Sequence, residues 1–271
     1  MSRSRQLRRL TGDQEPFLTA RSLATTYSSG YVIDRHTHPW HQLLYACTGA
    51  MTVSADQSSW MIPPGKAVVI PARRSHSIRM WGDVAMRSIY FPEDVRAGVL
   101  VGGDCRVISV TPLLREIILR VIELSGLDSR VPAEANLMAL LLDEIDRPPV
   151  EPLTLILPKD PRAVRLAEHV LGDPADTEVL ARLARRYGAG HRTLERLFRA
   201  ETGMSFGMWR QKVRLLQSIR VLASGRSVTD AALDAGYGSV SAFIVAFKQT
   251  FGCTPGAMLA ESGEDATATY G

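Results

Sequence analysis

The sequence predicts an α+β chain in two domains: a half of short antiparallel strands, a β-sandwich or small barrel, with two helices after it, followed by an all-helical half. Three observations predict it. Between about Ala20 and Pro92, short apolar stretches alternate with Gly, Pro and Ser at the spacing of small antiparallel strands. A cluster of Pro148, Pro149, Pro152, Pro158 and Pro161 then interrupts the chain, and prolines this dense break helices and suit a semi-rigid connector. Beyond it the sequence reads as helix and repeats itself. Leu194, Phe198, Gly203 and Gly207 recur 49 residues later as Phe243, Phe247, Gly252 and Gly256, which marks one supersecondary unit built twice.

These signals divide the 271 residues into five parts: a basic flexible arm (1–19), a barrel with two helices (20–147), a proline-rich linker (148–159), a helical domain (160–260) and a flexible tail (261–271). Apolar residues make up 45% and charged residues 22%, an ordinary globular balance that excludes wholesale disorder. No apolar run is long enough for a membrane span, and "MSRSRQLRRL" at the start lacks the apolar core of a secretion signal. Cys47, Cys105 and Cys253 are odd in number and scattered; they read as reduced thiols of a cytoplasmic protein.

Taken in chain order, "LLYAC" turns at Thr48-Gly49 into "AMTVS", and "WMI" passes through Pro63-Pro64-Gly65 into "AVVI". "SIRM" and "MRSIYF" flank a further turn at Gly82-Asp83. Thr111 caps a first helix with Pro112 in its first turn, and Leu113, Leu114, Ile117, Ile118, Val121 and Ile122 form its apolar stripe. A second helix, from about Pro132 to Asp146, buries Leu137, Leu140, Leu141 and Ile145. These helices cover the barrel or pair with a second subunit.

In the repeat, short helices at about 177–187 and 228–235 lead through Gly188 and Gly236 into second helices at about 191–201 and 239–250. Ala184 and Ala232 are small enough for a close helix crossing. This is helix-turn-helix geometry, in which the second helix enters a major groove. Between the copies, Phe206 to Ala223 forms one long helix with Ser205 as N-cap, a rod that fixes the spacing of the two units. Charge agrees with a polyanionic partner: 12 Lys/Arg face 6 Asp/Glu between Asp176 and Leu259, although the whole chain carries only +4.

The segments "LERLFRAETGMSFGMWRQKVRL" and "DAALDAGYGSVSAFIVAFKQTFGCTPGAM" resemble the double helix-turn-helix domain of the AraC/XylS family of transcription regulators. The resemblance implies double-stranded DNA as partner. With the apolar face of each second helix turned inward, the first unit offers His191, Arg192, Glu195, Arg196 and Arg199. Arg192 and Arg196 are one turn apart and suit guanine edges; Arg199 and Lys248 fall later on their helices and suit phosphates. The second unit offers Ser239, Val240, Ser241 and Ile244, with Val245 where the family commonly carries Arg. Most sequence specificity is therefore expected from the first unit.

In the barrel half, His36 and His38 share a strand face by parity, His41 points away, and Gln42 rejoins them. The patterns H-x-H-x3-Q-x6-G (36–49) and G-x5-P-x4-H (65–76) resemble the two motifs of the cupin β-barrel superfamily. That resemblance places His36, His38, Gln42 and His76 where metal-binding cupins carry their ligands. Gln42 replaces the usual carboxylate, Arg73 a customary Gly, and Met80 stands where Asn is often found. A neutral set binds hard divalent cations less tightly, yet His36, His38 and His76 can hold Zn, Ni or Fe. Three readings stay open: an organic-ligand pocket including Trp40 and Tyr45, a metal-assisted pocket, or structural barrel histidines. Trp60, Trp81 and Tyr90 are further aromatic candidates for its wall.

Whole AraC-family regulators share this order of cupin, two helices and double helix-turn-helix. "HPWHQLLYACTGAMTV", "WMIPPGKAVVIPARRSH" and "LPKDPRAVRLAEHVL" look like the branch that includes regulators of nitroimidazole-type drug efflux. The expectation is a ligand-responsive, sequence-specific regulator without catalytic activity, acting as a homodimer and meeting RNA polymerase if it activates. A DNA-tethered metal-dependent cupin enzyme and a constitutive architectural DNA binder are the alternatives.

Overall fold

The computed structural model describes residues 18–95, 98, 103–146 and 153–260. The expectations of a flexible arm and tail fall, apart from residues 18 and 19, outside these residues. The barrel half holds β1 (Leu18–Tyr27), β2 (Val32–His36), β3 (Trp40–Ala55), β4 (Ser58–Ile62), β5 (Lys66–Ile70), β6 (His76–Pro92) and β7 (Arg106–Ser109). Then come α1 (Pro112–Leu124), β8 (Gly126–Asp128) and α2 (Pro132–Ile145). All pairings are antiparallel, in the order β7-β5-β3-β6-β1-β8, with β2 on β6 and β4 on β3.

Two predicted turns are corrected. Thr48-Gly49 and Gly82-Asp83 lie inside β3 and β6, which pair along nearly their whole length, Trp40↔Pro92 at one end and Ala55↔His76 at the other. The register shifts around Thr48, so the glycines mark a bulge rather than a hairpin. Gly49 and Gly82 have φ of 68° and 69°, a conformation that bends both strands together and curls the sheet. The Pro63-Pro64-Gly65 turn does connect β4 to β5, where the Lys66 N–H donates to the Pro63 carbonyl.

Strand parity separates two cores. Leu43, Tyr45, Cys47, Ile89 and Phe91 pack outward against α1 and α2, whereas Leu44, Ala46, Met80 and Met86 fill the barrel. Thr111 caps α1 as expected, accepting from the Leu114 N–H, and its hydroxyl donates to the buried Glu144 carboxylate. Of the expected stripes, Leu113 and Leu140 instead face outward, 48% and 40% exposed, and Met138 takes a place in the core.

The described part of the linker, residues 153–159, is joined to the barrel. Thr154–Ile156 forms β9, paired with Ser58–Trp60 of β4, because an extended Thr-Leu-Ile run can complete an open sheet edge. The helical half follows as α3 (Pro161–Gly172), α4 (Leu180–Arg186), α5 (His191–Thr202), α6 (Phe206–Ala223), α7 (Val228–Asp234), α8 (Val240–Phe251) and α9 (Pro255–Ala260). Helix α4 starts three residues later than expected, since the Asp176 carboxylate turns the chain by accepting from the Glu178 N–H. Ser205 caps α6, accepting from the Met208 N–H.

The repeat is exact in its core. Leu194, Phe198, Phe243 and Phe247 are fully buried, and Ala184 and Ala232 are each 1% exposed at their helix crossings. Gly203 and Gly252 end α5 and α8 in the left-handed conformation, with N–H groups donating to Arg199 and Lys248 carbonyls. Trp209, fully buried on α6, packs on Phe198 with ring centres 5.2 Å apart and donates its indole N–H to the Ile156 carbonyl of β9. The two halves are thus stitched together through the linker strand.

Candidate functional site

The reading face comes first, because helix periodicity alone fixes it. Burying Leu194, Leu197 and Phe198 leaves His191, Arg192, Arg196 and Arg199 exposed on the opposite face of α5. Glu195 is half-buried among them, 3.8 Å from the Arg199 guanidinium. Its partner helix is plainer. Ser241 and Val245 are exposed, but Val240 and Ile244 are half-buried against the core, which limits what they present. Ser239 is the N-cap of α8, its hydroxyl oxygen accepting from the Ala242 N–H. Lys248 is exposed in the last turn.

The second group lies at one mouth of the barrel. β2 and β6 pair His36 with His76, and the short connection from β2 to β3 brings His38 beside them. Ring centres of His36 and His76 lie 4.3 Å apart, and His38 and His76 5.1 Å. Each ring is held by its own backbone. The Nδ1–H groups of His36, His38 and His76 donate to the carbonyls of Asp34, Trp40 and Arg74 at 2.8, 2.9 and 2.8 Å. An imidazole that donates from Nδ1 keeps its lone pair on Nε2. Three such lone pairs fall within one cluster whose ligand atoms all lie within 4.8 Å of one another.

Gln42 completes the set. Its amide nitrogen donates to Ser88 Oγ and Tyr90 Oη, both at 3.1 Å, which turns its carbonyl oxygen to His38 Nε2 at 3.2 Å; with the His38 proton on Nδ1 these are two acceptors face to face, as two ligands of one cation would be. The His76 Nε2 is buried without a hydrogen-bond partner, a state that costs free energy unless something occupies it. Burial lowers the His76 pKa to about 4 and also depresses that of His38, so both rings are neutral at pH 7 and available as donors. Burial pushes the Tyr90 hydroxyl up to about 12, which keeps it a neutral partner for Gln42.

The remaining expectations divide. His41 does point away: the Ala72 N–H donates to its Nδ1 and its Nε2–H donates to the Glu93 carbonyl, a structural role. Trp40 contributes its backbone carbonyl to the histidines, and its ring lies beneath the Arg21 guanidinium at 5.6 Å. Tyr45 is corrected: it is 1% exposed in the outer core between sheet and helices, on the face opposite Gln42. The opposite parity of Gln42 and Tyr45 carried that signal. Tyr90 joins the site, edge-on to His38 at 5.6 Å. Ser88 was missed; its register opposite Leu44, two residues from Gln42, shows only once β3 and β6 are paired.

Residues 21–141 match the model of an AraC-like ligand binding domain, and residues 183–261 that of a helix-turn-helix domain. The chain is similar to the HTH-type transcriptional regulator NimR of Escherichia coli, 31% identical over 225 residues that make up 83% of this chain and 81% of that protein. It is also similar to the regulator RipA of Corynebacterium glutamicum, 36% identical over 41% of this chain and 32% of that protein. Among solved structures, ToxT from Vibrio cholerae aligns over 90% of this chain and 98% of its own, with a TM-score of 0.39 and 12% identity.

Proposed function

The chain belongs to the AraC family of transcription regulators, and from that premise we propose how its two halves divide the work. The protein is a ligand-responsive, sequence-specific DNA-binding regulator. Helix α5 carries most of the sequence reading, with Arg192 and Arg196 on guanine edges, His191 and Glu195 beside them, and Arg199 on phosphate. Helix α8 supports it through Ser241 and apolar contacts, with Lys248 on phosphate. The observation that carries this division is the contrast between the two exposed faces: three arginines and a histidine on α5, and a single lysine among small and uncharged residues on α8.

A chain of this kind has no need of catalysis, and it works in the cytoplasm as a homodimer. The outward-facing Leu113 and Leu140 on the covering helices favour pairing of two copies there. Contact with RNA polymerase follows if the regulator activates. Selection of bound duplexes from a random library, followed by gel shifts with Arg192→Ala and Arg196→Ala, tests the reading. Loss of preference at particular base pairs supports it, and unchanged preference in both variants overturns it.

We infer further that His36, His38 and His76, with the Gln42 carbonyl oxygen, hold a divalent metal in the sensing half. The donor set is three neutral imidazole nitrogens and one amide oxygen, suited to Zn, Ni or Fe, and the backbone-anchored Nδ1–H groups are the orientation that ligating histidines carry. Bound there, the metal would offer a Lewis-acidic position to an effector donor atom. Protein purified without chelators and analysed for metal decides this. Near-stoichiometric metal that His76→Ala loses supports it; substoichiometric metal leaves an organic-ligand pocket or structural histidines.

A further inference from the structure

The two helix-turn-helix units share one core design but not one surrounding. Gly188 and Gly236 hold equivalent turns, with φ of 70° and 74°. A Cβ built on Gly188 meets nothing within 4 Å among the described residues. One built on Gly236 lies 3.3 Å from both the Cα and the carbonyl oxygen of Ala175, and 3.6 Å from the guanidinium carbon of Arg214. The turn of the second unit is therefore seated on a loop that precedes the first unit, while the turn of the first unit is open.

That loop, residues 173–178, is held from several sides. Arg214, half-buried on α6, donates from Nε to the Pro174 carbonyl at 2.7 Å and from a terminal nitrogen to the Asp176 carbonyl at 2.8 Å. One turn earlier on α6, Arg210 donates to the Glu178 carbonyl at 2.8 Å. The His169 Nε2–H, in the last turn of α3, donates to the Asp176 carboxylate at 2.8 Å. The Glu178 carboxylate pairs with Arg186 of α4 at 2.9 Å, which ties the loop to the first unit. Next to Gly236, the Tyr237 hydroxyl shares a hydrogen bond with the Gln211 side chain of α6. A planar, charged donor such as Arg214 makes stronger and more directional hydrogen bonds than a neutral one. It stands where the loop, the α6 rod and the second turn meet.

Helix α8 brings few contacts of its own to DNA, since Ser241, Val245 and Lys248 are the exposed residues of its reading face. Contacts this few add affinity only if the helix is already in place, because ordering it on binding costs free energy. The α6 rod sets the distance between the units, and the seat on the loop adds a second attachment that fixes rotation as well. We propose that Arg214 is the positioning residue of the second reading unit. By joining the loop before the first unit to the turn of the second, it holds α8 in phase with α5, so that the chain accepts one spacing between its two sub-sites. Arg214 contacts no base in this role and acts through the Gly236 turn. The inference rests on the proposed division of DNA reading between α5 and α8.

The test uses the full chain and three duplexes derived from a site selected out of a random library. They are the intact site, the same site with one base pair inserted between its sub-sites, and a site cut down to the sub-site of α5, located by the base pairs whose preference Arg192→Ala relaxes. One inserted base pair turns the second sub-site by about a tenth of a helical turn. The wild-type chain is expected to bind the inserted site about tenfold more weakly than the intact one. Arg214→Ala is expected to weaken the intact site at least about fivefold, to bind the truncated site within about twofold of wild type, and to distinguish the inserted site by less than about threefold. Arg214→Lys keeps the charge without the planar fork and should fall between the two; it carries the test if Arg214→Ala does not fold. Loss by the same factor on intact and truncated sites in the folded variants means a merely structural role and overturns the proposal, as does undiminished discrimination of spacing. A wild-type chain that binds the truncated site as tightly as the intact one also overturns it, while leaving the reading by α5 in place. Failure to select any site removes the proposed function and this inference with it.

Discussion

Gly82 lies against the carbonyl of Ala223, so closely that a Cβ built on Gly82 would sit 2.1 Å from the Ala223 oxygen. Gly82 is the bend of β6, and Ala223 is the last residue of α6. The bend that curls the barrel is therefore also the point where the long helix between the two reading units docks.

Substitution at this contact should separate the halves. Gly82→Ala meets both a left-handed φ of 69° and the Ala223 carbonyl. The backbone strain alone costs about 1–3 kcal/mol. The expected outcome is a thermal unfolding profile that splits into two transitions, with faster proteolysis of the linker. A single transition at the wild-type temperature would show that the contact is dispensable.

On DNA, Arg192→Ala and Arg196→Ala should each weaken specific binding by about 1–3 kcal/mol and relax preference at one position. Arg199→Ala should instead weaken all sequences alike and reduce the salt slope by about 1. Because Val245 is 55% exposed on α8, Val245→Arg adds a cation to the plain helix, and tighter binding in gel shifts is expected. Unchanged affinity would mean that this face does not reach the duplex.

Trp209 tests how the linker strand is held. Trp209→Phe keeps most of the packing on Phe198 but loses the hydrogen bond to Ile156, a loss of about 1 kcal/mol. Trp209→Ala also opens a cavity in a fully buried site, and about 3–5 kcal/mol is expected. Chemical denaturation of both variants gives the comparison; equal losses would remove the cavity argument.

Acid should weaken the start of the helical half in a defined window. Asp160 caps α3, accepting from the Arg162 N–H, and its pairing with the Arg162 side chain holds the carboxyl down to about 2. A carboxyl depressed below its unfolded value of about 3.9 stabilises the fold above that pH. The contribution declines as pH falls toward 2. The stability difference between wild type and Asp160→Asn should therefore shrink over this range, and a constant difference would show that charge contributes nothing.

The repeat in the helical half was legible because its evidence is local. Helix periodicity, a small residue at each crossing and glycine at each cap fix Leu194, Phe198, Phe243 and Phe247 as core without any long-range knowledge. The exposed arginines of α5 follow by subtraction. Parity did the same for His36, His38, Gln42 and His41. What parity cannot say is where a strand ends, and glycine is ambiguous between a turn and a bulge; hence β3 and β6 read as two hairpins instead of two long bent strands.

By itself, the sequence determined the helices of the repeat, the two-part order, the face of α5 and the residue types gathered near the barrel mouth. Each of these depends on spacing along one segment of chain. Only the tertiary structure decided that Tyr45 faces the helices, that three Nδ1–H groups are spent on backbone carbonyls, and that Arg79, Trp81 and Arg220 meet across the junction. Those facts depend on strand register and domain docking, where residues distant in sequence share one space and no local periodicity records the encounter.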